Sequence, residues 1–324
     1  MEKYKVILDT DFATDVDDAF ALAYMLANPN VEVMGVVCVT GEALERAQLA
    51  SALCIDMGQP DIPIYTGLET CILRKQYQYE CPQKFLLDRW PHRDASDFPR
   101  CEAINFMRKT IRENPGEIIL CCIGPLSDVG ILFQIDPELP SLLRGMQILG
   151  GRFQYNEYSE RSWLKKSGNT IGNEATLAQV LDWNVCIDGI ASAMVVDPSH
   201  KFNYLRFVGD EMTMGIYMTR EEFNTGLAKK LPPSLVDMAN AWVEIGGRDF
   251  DRPLVHFHDA IGVATNFNPN ICEFVRGTVN IEMDSPTLRG FTTFVEDPEG
   301  PHQIAVKVNP DEFLRNLLLY SNNN

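Results

Sequence analysis

Five carboxylates stand within ten residues near the start of the chain: Asp9, Asp11, Asp15, Asp17 and Asp18. They follow Val6-Ile7-Leu8, which reads as a strand, and precede Ala19-Phe20-Ala21-Leu22-Ala23-Tyr24-Met25-Leu26, which reads as a helix. Strand, loop and helix in that order is where an open α/β sheet puts its ligand, at the carboxyl end of a strand. Like charges this close repel, and a bound cation is the simplest compensation. Oxygen-only ligands favour a hard ion, Ca²⁺ or Mg²⁺. The plainer reading is that Asp17 or Asp18 caps the helix. A second acidic position, Asp259 in His256-Phe257-His258-Asp259-Ala260-Ile261, heads another helical run and by itself also reads as a cap.

The elements that must position these residues alternate. Residues 31–39 read as a buried strand, 42–57 as a helix and 61–65 as a short strand. Residues 103–113 form a helical pattern stopped by Asn114-Pro115-Gly116; 117–123 is a strand, and Gly124-Pro125 opens the next helix. Strands at 146–149 and 204–208 flank a helix at 188–196. This order predicts an α/β fold, a mostly parallel sheet with helices on both faces. Strands at 275–283, 290–295 and 303–308 read as antiparallel additions before a final helix at 310–320. Residues 71–99 and 153–172 have no clear period and exceed ordinary connections, so they read as functional loops or lids. No repeat or linker divides the chain, and residues 1–324 read as a single domain.

A chain of 324 residues with 45% hydrophobic content can build a large core. Its net charge of −17 and isoelectric point of about 4.7 disfavour a nucleic-acid partner. Nine scattered cysteines, an odd number without zinc-ribbon spacing, suit small core residues in a reducing cytoplasm. Met1-Glu2-Lys3-Tyr4 lacks signal-peptide features and no apolar run is long enough for a bilayer, so a cytoplasmic protein without a membrane partner is expected.

Taken in order, several segments resemble the inosine–uridine-preferring nucleoside hydrolase family: Asp9-Thr10-Asp11 with Asp17-Asp18-Ala19, Pro60-Asp61-Ile62-Pro63-Ile64-Tyr65-Thr66-Gly67, Asn114-Pro115-Gly116-Glu117, Gly124-Pro125-Leu126-Ser127-Asp128, Ile148-Leu149-Gly150-Gly151, Asp182-Trp183-Asn184 with Asp188, and His258-Asp259-Ala260. The resemblance implies a Rossmann-like N-glycosidase, a homodimer or homotetramer, acting on a small-molecule nucleoside with one Ca²⁺ at the pocket floor. It implies Asp11, Asp18 and Asp259 as metal carboxylates, the carbonyl of Ile123 as a further metal ligand, and Asp17 as the base that activates water. Asp182 and Asn184 would contact ribose hydroxyls, Leu149 would line the sugar pocket, and Asp9 would orient the loop. His258 is the natural proton donor to the departing base, with His256 second and His92 third.

The chain also departs from the family pattern. Phe12 and Ala13 replace Pro and Gly, the loop is two residues longer, and Asp15 is an added carboxylate. Glu42 stands where an Asn touches the sugar, and Asn173 is the expected contact to the 5′-hydroxyl in a lengthened segment. A His-Gly segment is absent; residues 71–99 take its place. Two rival readings keep the acidic loop. One is a non-catalytic Ca²⁺-dependent nucleoside or sugar binder, for which a base at Asp17 has no use. The other is a Mg²⁺-dependent phosphohydrolase, disfavoured because no basic residue adjoins the acidic loop in sequence.

Overall fold

The alternation of Val6 and Leu8 against Ile7 sets two faces, and each face buries its own core. The computed structural model of the chain describes residues 3–73, 76–153, 181–245 and 255–321. Strands β1 (Tyr4–Thr10), β2 (Val31–Cys38), β3 (Ile64–Thr66), β4 (Ile118–Cys122), β5 (Gly145–Leu149) and β6 (Leu205–Val208) are joined in one sheet with three later strands. A separate two-stranded sheet pairs β7 (Tyr217–Met218) with β8 (Val255–His256). The later strands are β9 (Cys272–Ile281), β10 (Thr292–Glu296) and β11 (His302–Val308). The nine-stranded order is β10-β9-β11-β6-β5-β4-β1-β2-β3. Pairing is parallel from β3 to β11, while β9 runs antiparallel to both β11 and β10. The expected α/β architecture with antiparallel additions near the end is what the chain adopts.

Helices α1 (Asp17–Ala27) and α2 (Ala43–Asp56) pack with helix His258–Ala264 on one face. Helices α3 (Ala103–Glu113) and α4 (Ser127–Ile135) cover the other, against Ile7, Leu120 and Ile148. Covering both faces explains why the central strands read as flat apolar runs rather than alternating ones. The strand expected at 61–65 begins only at Ile64: Pro63 has no N–H for a ladder, and its carbonyl accepts from Val36 N–H at 2.9 Å. Within the aperiodic 71–99 segment, the described residues form two short 3₁₀ turns, Lys84–Asp88 and Ala95–Asp97. Most of the other aperiodic segment, with Asn173, lies outside the described residues.

The strand order reverses beside β1, which has β2 on one side and β4 on the other. Backbone N–H and C=O groups at the carboxyl ends of such strands face an open crevice, the usual ligand position in this architecture. Here the acidic loop leaves β1 and Ile123 leaves β4. Ile123 N–H donates to the Asp9 carbonyl at 2.8 Å, so both segments share one corner. Gly124 permits this approach: a Cβ there would lie 2.7 Å from the Asp11 nitrogen and 3.0 Å from the Thr10 carbonyl carbon, both backbone atoms. Gly124→Ala should therefore part the two segments, lowering stability by roughly 1–3 kcal/mol in chemical denaturation. An unchanged midpoint would show that the corner has slack.

Candidate active site

The carboxylates converge. Asp9, Asp11, Asp17, Asp18 and Asp259 are each between 0% and 5% exposed. Neither Asp17 nor Asp18 caps α1; the N-cap is Val16, which makes no side-chain cap bond, and both aspartates occupy the first turn. Asp259 lies likewise in the first turn of its helix, behind Phe257. The exposed N–H groups of a first turn favour negative charge without consuming the carboxylate. Among the described residues, Asp15, Asp17 and Asp18 bring one oxygen each to within 4.8 Å of one another. Asp11 and Asp259 stand around this trio. Asp11 raises the proton affinity of Asp18, and Asp259 that of Asp17, through charge repulsion. Chain segments some 240 positions apart thus share one acidic crevice.

Burial is the largest influence on Asp11, Asp17, Asp18 and Asp259, and it pushes these four above the ordinary carboxylate range. Asp17 is pushed further by Asp15 and Asp259, Asp18 by Asp11 and Asp15, and Asp259 by Asp18, Asp15 and Asp11. Hydrogen bonds counter the push in part. The Thr10 hydroxyl donates to Asp18, and Asp11 Oδ2 lies 3.1 Å from the Thr14 hydroxyl and 3.0 Å from the Gln78 amide. Asp9 has no such help: both of its carboxylate oxygens are buried without a hydrogen-bond partner among the described residues, and burial, Asp128 and Asp11 raise it well above the ordinary range. Buried oxygens of one sign, short of donors, fit a divalent cation, and an all-oxygen set fits a hard one.

A basic residue does adjoin the loop, contrary to the reading of linear neighbours. Arg46 of α2 is fully buried against it and offsets the charge of Asp11 and Asp18. Its donors go to the carbonyls of Asp11, Phe12, Gly41 and Glu80 and to the Thr14 hydroxyl. Held this way, the guanidinium is not presented to a phosphate, so the phosphohydrolase reading gains nothing from it. Nothing in its linear surroundings, Leu44-Glu45-Arg46-Ala47-Gln48, marked Arg46. Ala13 sits at φ 67° in the left-handed region, which costs an L-residue roughly 1 kcal/mol.

Several walls expected from the sequence meet this floor. Asn184 donates from Nδ2 to the Ile123 carbonyl at 2.8 Å and to the Leu149 carbonyl at 3.1 Å, joining the ends of β4 and β5. Asp182 caps the short helix Trp183–Ile187 by accepting from Val185 N–H at 2.9 Å, and burial first, then Asp210, raises it to about 7. Glu42 is directed elsewhere: its carboxylate accepts from Cys81 N–H at 2.6 Å and pairs with Lys84 at 2.5 Å. It anchors the 76–99 segment, and a sugar contact would require this pair to yield. From that segment Gln78 reaches Asp11 and accepts from the Trp183 indole, so it bridges the floor to the Asp182 wall. Gln78 was not singled out from sequence, because nothing local marks it.

His258 is hydrogen-bonded through Nδ1 to the Thr213 hydroxyl at 2.5 Å, and its ring stacks on His256 at 5.2 Å. The Thr213 hydroxyl also lies 3.0 Å from the Asp210 carbonyl and can give its single hydrogen to either partner, so the contact fixes the orientation of the ring and leaves Nε2 as the nitrogen not engaged by Thr213. Burial lowers its proton affinity, while Asp210 and Asp15 oppose that. His256 stacks on His258 and meets the Tyr217 ring at a tilt of 51°. His92 is bonded to the Trp90 carbonyl, in the stretch tied to Asp237.

With this geometry in hand, the relatives can be compared. The chain belongs to the family described as inosine-uridine preferring nucleoside hydrolase, whose model matches residues 6–315. It is 24% identical over 312 residues to a probable uridine nucleosidase 2 of Arabidopsis thaliana, covering 90% of this chain and 85% of that one. It is 25% identical over 164 residues to the pyrimidine-specific ribonucleoside hydrolase RihB of Escherichia coli O9:H4 (strain HS), covering 47% of this chain. The match spans about half the length of that relative, 49%. A solved purine-preferring ribonucleoside hydrolase from Gardnerella vaginalis shares the fold with a TM-score of 0.77 at 20% identity, covering 98% of each chain. Among the described residues no helix is long and apolar enough to cross a membrane.

Asp128, in the first turn of α4, was quoted from sequence without a role. It accepts from Leu68 N–H at 3.1 Å and 3.2 Å, and burial raises it to about 7. A raised carboxyl destabilises the folded state once pH exceeds the unfolded value near 3.8, and the loss is complete above about 7. Asp128→Asn should therefore raise Tm by about 2–4 °C at pH 8 and hardly change it at pH 4. Thermal melts in chelator test this; equal shifts at both pH values would contradict it.

Proposed function

We propose that this chain hydrolyses the N-glycosidic bond of a ribonucleoside to ribose and free base. The observation that carries the reading is the buried acidic crevice at the β1/β4 strand ends, shared by the loop 9–18 and Asp259, in a chain of this family. In this reading Asp11, Asp18, Asp259 and the Ile123 carbonyl hold Ca²⁺. When bound, the cation supplies Lewis-acid polarisation of water and a grip on vicinal hydroxyls.

The chain's own groups carry the rest. Asp17, whose proton affinity burial and Asp15 raise above that of an ordinary carboxylate, takes a proton from the attacking water. The positive charge that develops on the sugar faces a crevice already rich in carboxylates, which stabilises it electrostatically. His258 delivers a proton from Nε2 to the departing base, with Nδ1 fixed by Thr213. Asp182 and Asn184 hold ribose hydroxyls beside Leu149, and Asn173 is assigned the 5′-hydroxyl. The base itself is not assigned, since the relatives named above span pyrimidine and purine preferences. The nine free cysteines among the described residues support a reducing, cytoplasmic setting, and a homodimer or homotetramer is expected.

Free-ribose release from a panel of purine and pyrimidine ribonucleosides, with and without chelator, tests the reading. Release that chelator abolishes and calcium restores is expected. Calcium and nucleoside binding without release would point to a non-catalytic binder, and phosphate release from esters to a phosphohydrolase. Asp17→Asn should lower kcat by roughly 100-fold or more while leaving calcium affinity intact. Asp259→Ala should weaken calcium binding itself in calorimetry; unchanged affinity would remove Asp259 from the ligand set.

A further inference from the structure

The acidic loop holds its shape without a glycine. Ala13 has φ 67°, Thr40 φ 81° and Glu42 φ 55°, three L-residues in the left-handed region around one point in space. Without restraint such residues relax toward ordinary backbone angles. The restraint at that point is Arg46, which is 0% exposed. Its Nη1 lies 2.6 Å from the Asp11 carbonyl, 2.9 Å from the Phe12 carbonyl and 2.8 Å from the Thr14 hydroxyl. Its Nε donates to the Gly41 carbonyl at 2.7 Å, between Thr40 and Glu42, and its Nη2 to the Glu80 carbonyl at 3.0 Å. One side chain therefore grips the acidic loop, the β2–α2 connection and the 76–99 segment.

We infer that Arg46 is a positioning residue for the acidic crevice: its fork of hydrogen bonds does the work of a glycine turn and holds Asp11 to Asp18 in register for a cation. The grip continues toward the carboxylates through Thr14, whose hydroxyl adjoins both Nη1 and Asp11 Oδ2. Charge alone does not explain the arrangement. A lysine would bring the same charge, but a single ammonium cannot reach carbonyls on three segments, whereas a planar guanidinium can. Only the cation half of this inference rests on the function proposed above; the restraint on the loop stands apart from it.

The test compares wild type, Arg46→Lys, Ala13→Gly and the double variant by two readouts. The first is amide hydrogen exchange of residues 9–18 in chelator. Arg46→Lys should speed this exchange about tenfold or more, because the loop loses its anchors. The second is calcium affinity by calorimetry, which should fall about 10- to 100-fold in Arg46→Lys. Ala13→Gly alone should change affinity little. Placed in the Arg46→Lys background it should recover a clear part of the loss, since glycine adopts the turn without help. Wild-type exchange and affinity in Arg46→Lys, or a loss that Ala13→Gly leaves untouched, would overturn the inference. If Arg46→Lys does not fold, Thr14→Val decides: it breaks the link to Asp11 at a half-buried position, and wild-type calcium affinity there would also overturn it. A wild-type protein that binds no divalent cation would refute the proposed function, and the exchange readout would still judge Arg46.

Discussion

The structure depends on a dry crevice that keeps several negative charges together. At an effective dielectric of roughly 20, two unit charges about 5 Å apart repel by roughly 3 kcal/mol, and the loop 9–18 with Asp259 contains several such pairs. Burial adds to the penalty and drives the carboxyls to hold protons. The fold opposes this with limited means: first-turn positions on two helices, single hydroxyl and amide donors, and one buried guanidinium. Selection for stability alone would not gather these groups. Their convergence at a strand-order switch is the mark of a site built for a cation and a polar ligand.

The rest of the molecule acts as a frame for that crevice. The β1 and β4 ends are brought into backbone contact because residue 124 has no side chain. Asn184 ties β4 to β5 through two carbonyls, so the sugar-facing wall moves with the floor. Glu42 and Arg46, four positions apart on or beside α2, both reach the 76–99 segment and fasten it across the site. Behind the loop, Asp9 and Asp128 form a second acidic pair. Asp128 leans on one backbone N–H, while the carboxylate oxygens of Asp9 have no hydrogen-bond partner among the described residues. The loop therefore rests on a layer that is itself under electrostatic stress.

This arrangement separates what is general to the family from what belongs to this chain. The α/β frame agrees with relatives that differ in the base they prefer. Around that frame Glu42 is turned to Lys84, Gln78 links Asp11 to Trp183, and an alanine takes a left-handed position in the acidic loop.

Strand-type runs alternating with helix-type runs made the sheet, its parallel order and the late antiparallel strands legible from residue order alone, since periodicity follows directly from which faces are buried. The acidic loop and the His258-Asp259 segment were visible for the same local reason: carboxylates that follow a buried strand or open a buried helix are unusual enough to notice. Their convergence was not readable from spacing; it followed from the fold that brings distant strand ends to one crevice. Arg46, Gln78 and Asp128 stayed silent in the sequence, because each acts on partners 34 to 67 positions away or on backbone carbonyls that carry no residue identity. Whether Glu42 faces a sugar or a lysine was likewise decided only by packing. Residue order determined the chemistry on offer and the elements that carry it; tertiary structure decided which groups meet, because hydrogen bonds and charge repulsion depend on distance in space and not along the chain.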